Sequence, residues 1–177
     1  VLKPASTLEL QTALELALYR RRSEHGYQEA ADRGTRSEEP SDVDASAVSE
    51  ISRALAAIGT LQSADKPALT SIAKRSYIQS YRAGEGLAFE GDQAVDGFLV
   101  LAGRVGMVKT SVSGKKLIVE LLPPGDTFGL VVSVAWQPYP VTAEAQTASR
   151  IAWIPRECVS ELLRKYADFN THVMKDL

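Results

Sequence analysis

Few side chains in this sequence could do covalent or metal chemistry. The chain of 177 residues holds one cysteine, Cys158, and two histidines, His25 and His172. A catalytic nucleophile needs a base nearby, and zinc fingers or iron–sulfur clusters need several cysteines. The sequence has no Gly-x-Ser-x-Gly elbow, no phosphate loop and no His-Glu-x-x-His pair. These residue types predict a protein that is not an enzyme and holds no metal or cofactor.

Each remaining candidate has a plainer interpretation beside the chemical one. Cys158 is interpreted as a small apolar side chain on a helix, because no partner for redox chemistry is near it in sequence. His172 is interpreted as a packed or solvated residue, with haem or metal ligation as the alternative. The segment 20–22, three arginines, is interpreted as a solvated basic turn, with a phosphate contact or kinase site as the alternative.

Charge and hydropathy exclude two classes of partner. The 20 Lys and Arg residues against 22 Asp and Glu residues give a net charge of −2. Nucleic-acid binding needs a basic face, so this chain is not predicted to bind DNA by itself. No apolar run reaches the ~18–20 residues of a membrane span, and no signal peptide stands out. The expectation is a cytoplasmic protein without a membrane partner.

Composition divides the chain into four segments. Residues 1–34 predict an amphipathic helix whose stripe of Leu10, Leu14 and Leu18 would dock on the main domain, on a second copy or on another protein. Residues 35–46 are polar and acidic and predict a linker. A globular domain is predicted over 47–166 and the start of a further helix over 167–177.

The elements of the globular domain follow from a change of period. Two helices come first, the second capped by Asp65 with Leu69, Ile72 and Ala73 facing inward. After Ser76 the apolar period changes from about 3.6 to 2, and Gly or Pro separates most of the short apolar runs. Two helices follow Pro155. This pattern predicts an α+β fold: an antiparallel, jelly-roll-like β-roll flanked by helices, with an extra N-terminal helix.

The most specific signals are glycine-rich turns between the predicted strands. They lie in GEGLAFEGD over 84–92, in FLVLAGRV over 98–105 and in PGDTFG over 124–129. With Ile154-Pro155-Arg156 before a helix, this series resembles the cyclic-nucleotide-binding-domain superfamily, in particular the sensor domain of Crp/Fnr-type transcription regulators. The resemblance covers roughly 48–177.

The cassette that holds the cyclic phosphate in that superfamily is altered here. In nucleotide-binding members a Glu holds the ribose hydroxyl and an Arg, followed by a small residue, neutralises the phosphate. Leu130 stands at the Glu position, Tyr139 at the Arg position and Pro140 at the small residue. Burying a phosphate without a cation costs several kcal/mol. The resemblance therefore implies a degenerate cassette that does not bind cAMP or cGMP in the usual manner.

Two interpretations of the cassette stay open. Either its own side chains fill it, or it forms a pocket for an apolar or aromatic ligand, with Trp136 and Tyr139 as walls and the Tyr139 hydroxyl as a polar contact. The residues that would line it are Phe128, Gly129, Leu130, Val131, Trp136, Tyr139 and Thr142.

The resemblance also implies a role for the last helix. In Crp/Fnr regulators this helix pairs two subunits and leads to a DNA-binding domain, which would lie outside the present chain. A homodimer interface is predicted at Phe169, His172, Val173 and Leu177, because an exposed apolar stripe would otherwise face water. The predicted function is the effector-sensing and dimerisation domain of such a regulator. The alternative is a degenerate domain that acts as a protein-interaction or regulatory adaptor.

Overall fold

A computed structural model of the protein describes residues 42–111 and 113–175. Within these residues, helices lie at both ends of a series of short strands. The helices are α1 (Asp42–Ala57), α2 (Lys66–Arg75), α3 (Leu130–Val134), α4 (Arg156–Lys165) and α5 (Ala167–Lys175), with a 3-10 turn at Gly59–Leu61. The strands are β1 (Tyr77–Tyr81), β2 (Gly86–Ala88), β3 (Asp96–Ala102), β4 (Val105–Thr110), β5 (Lys116–Leu122), β6 (Thr127–Phe128), β7 (Thr142–Ala145) and β8 (Ser149–Pro155).

The strands form two antiparallel sheets of four strands each. One sheet has the order β1-β8-β3-β6 and the other β2-β7-β4-β5. Neighbours in each sheet are mostly distant in sequence, so the chain passes repeatedly from one sheet to the other, as in a roll. The predicted fold, an antiparallel β-roll flanked by helices, is confirmed. The extra N-terminal helix, with Leu10, Leu14 and Leu18, lies outside the described residues.

Alternation along the central strands divides the core into two layers. In β3, Phe98 and Val100 face the layer between the sheets, whereas Leu99 faces the layer under the helices. In β8, Ile151 and Ala152 divide in the same way. Because side chains of a strand alternate between faces, a strand buried on both sides is apolar at every position. The first sheet is therefore covered by helices on one face and by the second sheet on the other.

For the first two helices, the predicted buried residues are confirmed, but the predicted helix start and N-cap are not. Leu69, Ile72 and Ala73 of α2 are buried as predicted. Asp65 precedes α2, but its side chain makes no cap and instead accepts bonds from Lys165 Nζ at 3.0 Å and Tyr166 Oη at 2.8 Å. Helix α1 already begins at Asp42, inside the segment 35–46 predicted as a linker, and the unit described here begins at that residue.

The predicted apolar stripe of the last helix is not exposed. Phe169 is 1% exposed and Val173 is 9% exposed, and both belong to the layer under the helices. Helix α5 folds back against α4 and the turn Gly59–Leu61, so the chain covers this stripe itself. The expectation that Phe169 and Val173 stand in water as a dimer interface is therefore wrong. The side chain of His172 and the whole of Leu177 lie outside the described residues.

Candidate functional site

The cassette begins where β6 turns into α3. Gly129 has a φ of +71°, in the left-handed region that a side chain disfavours, and this lets the chain turn directly from Phe128 into the helix. A Cβ at Gly129 would lie 3.1 Å from Phe98 Cδ2 and 3.2 Å from Tyr139 Cε1. The rings of Phe98 in β3 and of Tyr139 before β7 therefore pack directly against this turn.

Leu130 points into the protein core. It is 3% exposed and belongs to the layer under the helices, where Val131 packs against the same cluster. A Cβ on Gly97 would clash with Leu130 Cδ2 and would lie 3.0 Å from Val159 Cγ2, so β3 approaches α3 closely at this point. The residue at the ribose-binding position of the superfamily is here part of the hydrophobic core.

Tyr139, predicted to stand at the position of the phosphate-binding arginine, is buried against aromatic rings. Its side chain is 8% exposed, and its hydroxyl donates to the backbone oxygen of Asp96 at 3.1 Å. Its ring centroid lies 6.0 Å from that of Phe98, which in turn stacks on Phe128 at 4.6 Å. The backbone is also fixed, because Tyr139 N donates to Asp92 O and Gly91 N donates to Tyr139 O, both at 2.9 Å.

The other predicted cassette residues have separate surroundings. Trp136 is 52% exposed and has a φ of 55°, which is rare for a bulky residue. The guanidinium carbon of Arg156 lies 4.5 Å from its ring centroid, and Arg156 Nη2 donates to Val134 O at 3.3 Å. Thr142 Oγ1 accepts from Glu90 N at 3.1 Å. The structure thus brings Phe128, Gly129 and Tyr139 together, places Leu130 in the core and leaves Trp136 at the surface.

Asp96, whose backbone oxygen accepts the hydrogen bond from Tyr139, carries a partly buried carboxyl. Burial, together with a smaller effect of the nearby Glu157, raises the pKa of this carboxyl to about 6. Both effects disfavour the ionised form of this carboxyl. The sequence analysis did not select Asp96, although an acidic residue at the start of an otherwise apolar strand indicates a carboxyl that is partly buried and has a raised pKa.

An open groove lies elsewhere on the helical side. Its volume is about 470 Å³, and it includes none of the predicted cassette positions. The residues that line it are Val134, Ser160, Leu163, Arg164, Ala167 and Asn170.

The remaining chemical candidates have structural roles where they can be seen. Cys158 is 1% exposed, and burial raises the pKa of its thiol, which lowers its reactivity. Among the described residues no group of three or more His, Cys, Asp or Glu side chains could hold a metal ion. In the same part of the chain, no helix is long and apolar enough to cross a membrane.

The comparison with known families gives one decisive match. The family model of the cyclic nucleotide-binding domain matches residues 78–166, just over half of the chain. The chain belongs to the cyclic nucleotide-binding domain family. Domains of this family are regulatory rather than catalytic. The match begins in β1 and ends after α4, so it contains the whole cassette of this cyclic nucleotide-binding domain.

Curated relatives share only this domain with the chain. Patatin-like phospholipase domain-containing protein 6 from mouse and from human are each 30% identical to it over 92 residues, which is 52% of this chain. The chain spans 7% of the length of either relative. The similarity thus concerns one regulatory module within a far longer protein.

Solved structures confirm the fold at low sequence identity. The regulatory domain of Toxoplasma gondii PKA with cAMP aligns with a TM-score of 0.67 at 16% identity, over 77% of this chain and 52% of that one. The sensor domain of the transcriptional regulator DNR from Pseudomonas aeruginosa has a TM-score of 0.61 at 16% identity, over 70% and 83% of the two chains. Thermus thermophilus Catabolite Activator Protein has a TM-score of 0.56 at 19% identity, over 66% and 55%. The neighbours thus include both Crp/Fnr-type regulators and kinase regulatory domains.

Proposed function

We propose that this cyclic nucleotide-binding domain is the effector-sensing and dimerisation domain of a Crp/Fnr-like transcription regulator, and that it does not bind cAMP or cGMP in the usual manner. DNA would be contacted by a domain outside these residues. Family membership and the likeness to the DNR sensor domain support the regulator, since a sensor of this kind transmits an effector signal to a partner domain.

The buried side chain of Tyr139 carries the second part of the proposal. Its ring packs on Phe98 and its hydroxyl bonds to Asp96 O, so displacing it would expose an aromatic core and break a hydrogen bond. Pro140 offers no backbone N–H to a phosphate. These contacts favour a cassette filled by its own side chains over an open apolar pocket.

The test is a thermal-shift titration with cAMP and with cGMP up to about 1 mM. A ligand at roughly 100 times its Kd would stabilise the fold by about 2.7 kcal/mol and raise the melting temperature by several degrees. We expect no measurable shift, whereas a cAMP-binding family member measured in parallel responds. A shift of several degrees that Tyr139→Ala abolishes would overturn the proposal, because it would show that the cassette holds a phosphate without the arginine.

A protein-interaction or adaptor module is the second candidate, and the exposed strand β5 favours it. Four large apolar side chains of β5 are more than 40% exposed: Leu117, Ile118, Val119 and Leu121. Such a patch is typical of an interaction surface. A helix-turn-helix domain following in the natural gene would support the regulator, and an unrelated domain or none would support the adaptor.

A further inference from the structure

Strand β5 combines apolar character with exposure on both of its faces. Leu117 is 63% exposed, Ile118 48%, Val119 54% and Leu121 43%, whereas only Leu122 at its end is buried. Successive residues of a strand point to opposite faces, so this exposure means that neither face of β5 is covered within the described part of the chain. Its neighbour β4 is instead buried from Val105 to Val108.

The position of β5 in the sheet leaves its backbone available. It is the last strand in the order β2-β7-β4-β5, and β4 is its one strand partner among the described residues. An edge strand presents a row of N–H and C=O groups that can pair with another strand. Proteins commonly protect such edges with charges or bulges. The pairing of β5 with β4 is irregular at one point, since Met107 pairs with Glu120 and Val108 with Ile118, which leaves Val119 as a bulge in β5. The run Leu117–Val119 nevertheless carries no charge.

The charges that flank this run are opposite in sign. Lys116 stands at the start of β5, with its side chain 62% exposed, and Glu120 stands near the end. In an antiparallel pair of two β5 strands whose two-fold axis passes at Ile118, Lys116 of each copy lies opposite Glu120 of the other. In a parallel pair, like charges would lie together. The strand is therefore complementary in charge to a second copy of itself related by a two-fold axis.

We propose that two copies of this chain associate through their β5 strands. The two β5 strands would pair antiparallel, so that the sheet β2-β7-β4-β5 of one copy continues into the same sheet of the other. The backbone edge would supply the hydrogen bonds, the apolar side chains the buried area, and Lys116 with Glu120 the orientation. Within one chain, Lys116 Nζ contacts Glu144 Oε2 of β7 at 2.5 Å, on the side of β5 away from its free edge, so pairing with Glu120 of a second copy would replace this exposed contact. This inference deepens the dimerisation part of the proposed function and rests on it.

The first experiment measures the mass of the full chain by sedimentation velocity over about 1 to 100 µM. We expect a concentration-dependent dimer. Val119→Lys would place a charge on each side of the seam and remove apolar burial, and should weaken association at least about a hundredfold. The matched control is Gln79→Lys, which adds the same charge to β1, the exposed edge strand of the other sheet, and should leave association unchanged. Thermal melting verifies that each variant is folded.

The second experiment tests the antiparallel arrangement by exchanging charges. Lys116→Glu gives a strand with two acidic ends and Glu120→Lys one with two basic ends. Each variant alone should self-associate roughly tenfold more weakly than the natural chain. An equimolar mixture should recover association, because each acidic end then meets a basic end. Docking of another segment of the same chain on β5 would produce no such recovery.

Three results would overturn the inference. These are a monomer at every concentration, a dimer that Val119→Lys leaves intact, and a mixture of the two charge variants that associates no better than either alone. The outcome is separable from that of the nucleotide titration. Binding of cAMP would contradict the filled cassette and leave β5 pairing untouched, whereas a monomer would leave the account of Tyr139 unchanged.

Discussion

Removing the ring of Tyr139 tests whether the cassette is filled. The side chain is 8% exposed, packs at a tilt against the ring of Phe98 and donates a hydrogen bond to Asp96 O. Truncation of a buried aromatic residue to Ala costs about 3–5 kcal/mol, and loss of one hydrogen bond about 0.5–1.5 kcal/mol. We therefore expect Tyr139→Ala to lower the free energy of unfolding by about 4 kcal/mol and Tyr139→Phe by about 1 kcal/mol.

The assay is urea denaturation followed by tryptophan fluorescence, with a matched tyrosine as control. Tyr77 is 42% exposed, and its ring stacks on Trp153 at 5.6 Å between centroids. Because much of that ring is already in water, Tyr77→Ala should cost about 1 kcal/mol or less. An equal slope of free energy against urea in all variants would show that the same surface unfolds in each.

The result that refutes this reasoning is a small effect at Tyr139. If Tyr139→Ala costs no more than Tyr77→Ala, the ring does not fill the cassette, and an open apolar pocket becomes the better interpretation. A loss for Tyr139→Phe as large as that for Tyr139→Ala would assign the whole effect to the bond with Asp96 O. The aromatic packing would then contribute nothing, against the geometry of the cluster.

Two further changes probe charge and backbone strain beside the cassette. Burial raises the pKa of Asp96 from 3.8 to about 6, so its ionised form is disfavoured in the folded state. Asp96→Asn should therefore have little effect below about pH 3.5, stabilise increasingly as pH rises from about 4 to 6, and level off at about 2–3 kcal/mol above about pH 6.5. A difference that stays constant from about pH 3.5 to about pH 6.5 in urea titrations would contradict the assignment. At Trp136, whose φ is 55°, Trp136→Gly relieves strain while Trp136→Ala does not, and both lose the contact with Arg156. The Gly variant should melt higher than the Ala variant, and the reverse order would show that the backbone there is unstrained.

The β-roll could be predicted because its signals are local. Each strand is a short apolar run, and a glycine or proline marks most turns, so the change of period at Ser76 locates the start of β1 at Tyr77. The inward faces of the helices follow from spacing, as for Leu69 and Ile72 in α2. The residues Leu130 and Tyr139, which differ from the Glu and Arg of nucleotide-binding members, could be assigned from the sequence alone, because this assignment needs only the order of residues along the cassette.

The wrong predictions concern features that depend on tertiary contacts, namely the start of helix α1 and the burial of Phe169. Helix α1 begins at Asp42 within a polar run whose composition favours a linker, because packing of its later residues Ile51 and Leu55 on the core supports the whole helix. Phe169 belongs to an apolar stripe that is equally suited to a partner or to the chain's own core. Only the return of α5 against α4 shows which surface covers it. The choice between a filled and an open cassette needed the same kind of long-range information.

The two departures in the cassette depend on each other through β3. Gly97 allows Leu130 to pack directly on the strand, and the preceding Asp96 offers its backbone oxygen to Tyr139. A Glu in place of Leu130 would bring a second carboxyl into a region that already raises the pKa of Asp96, and no arginine at position 139 would balance it. If the cassette is filled as we propose, a single substitution would not restore phosphate binding without loss of stability. On the proposed function, a regulatory signal in this domain would enter through a surface such as β5 rather than through a phosphate.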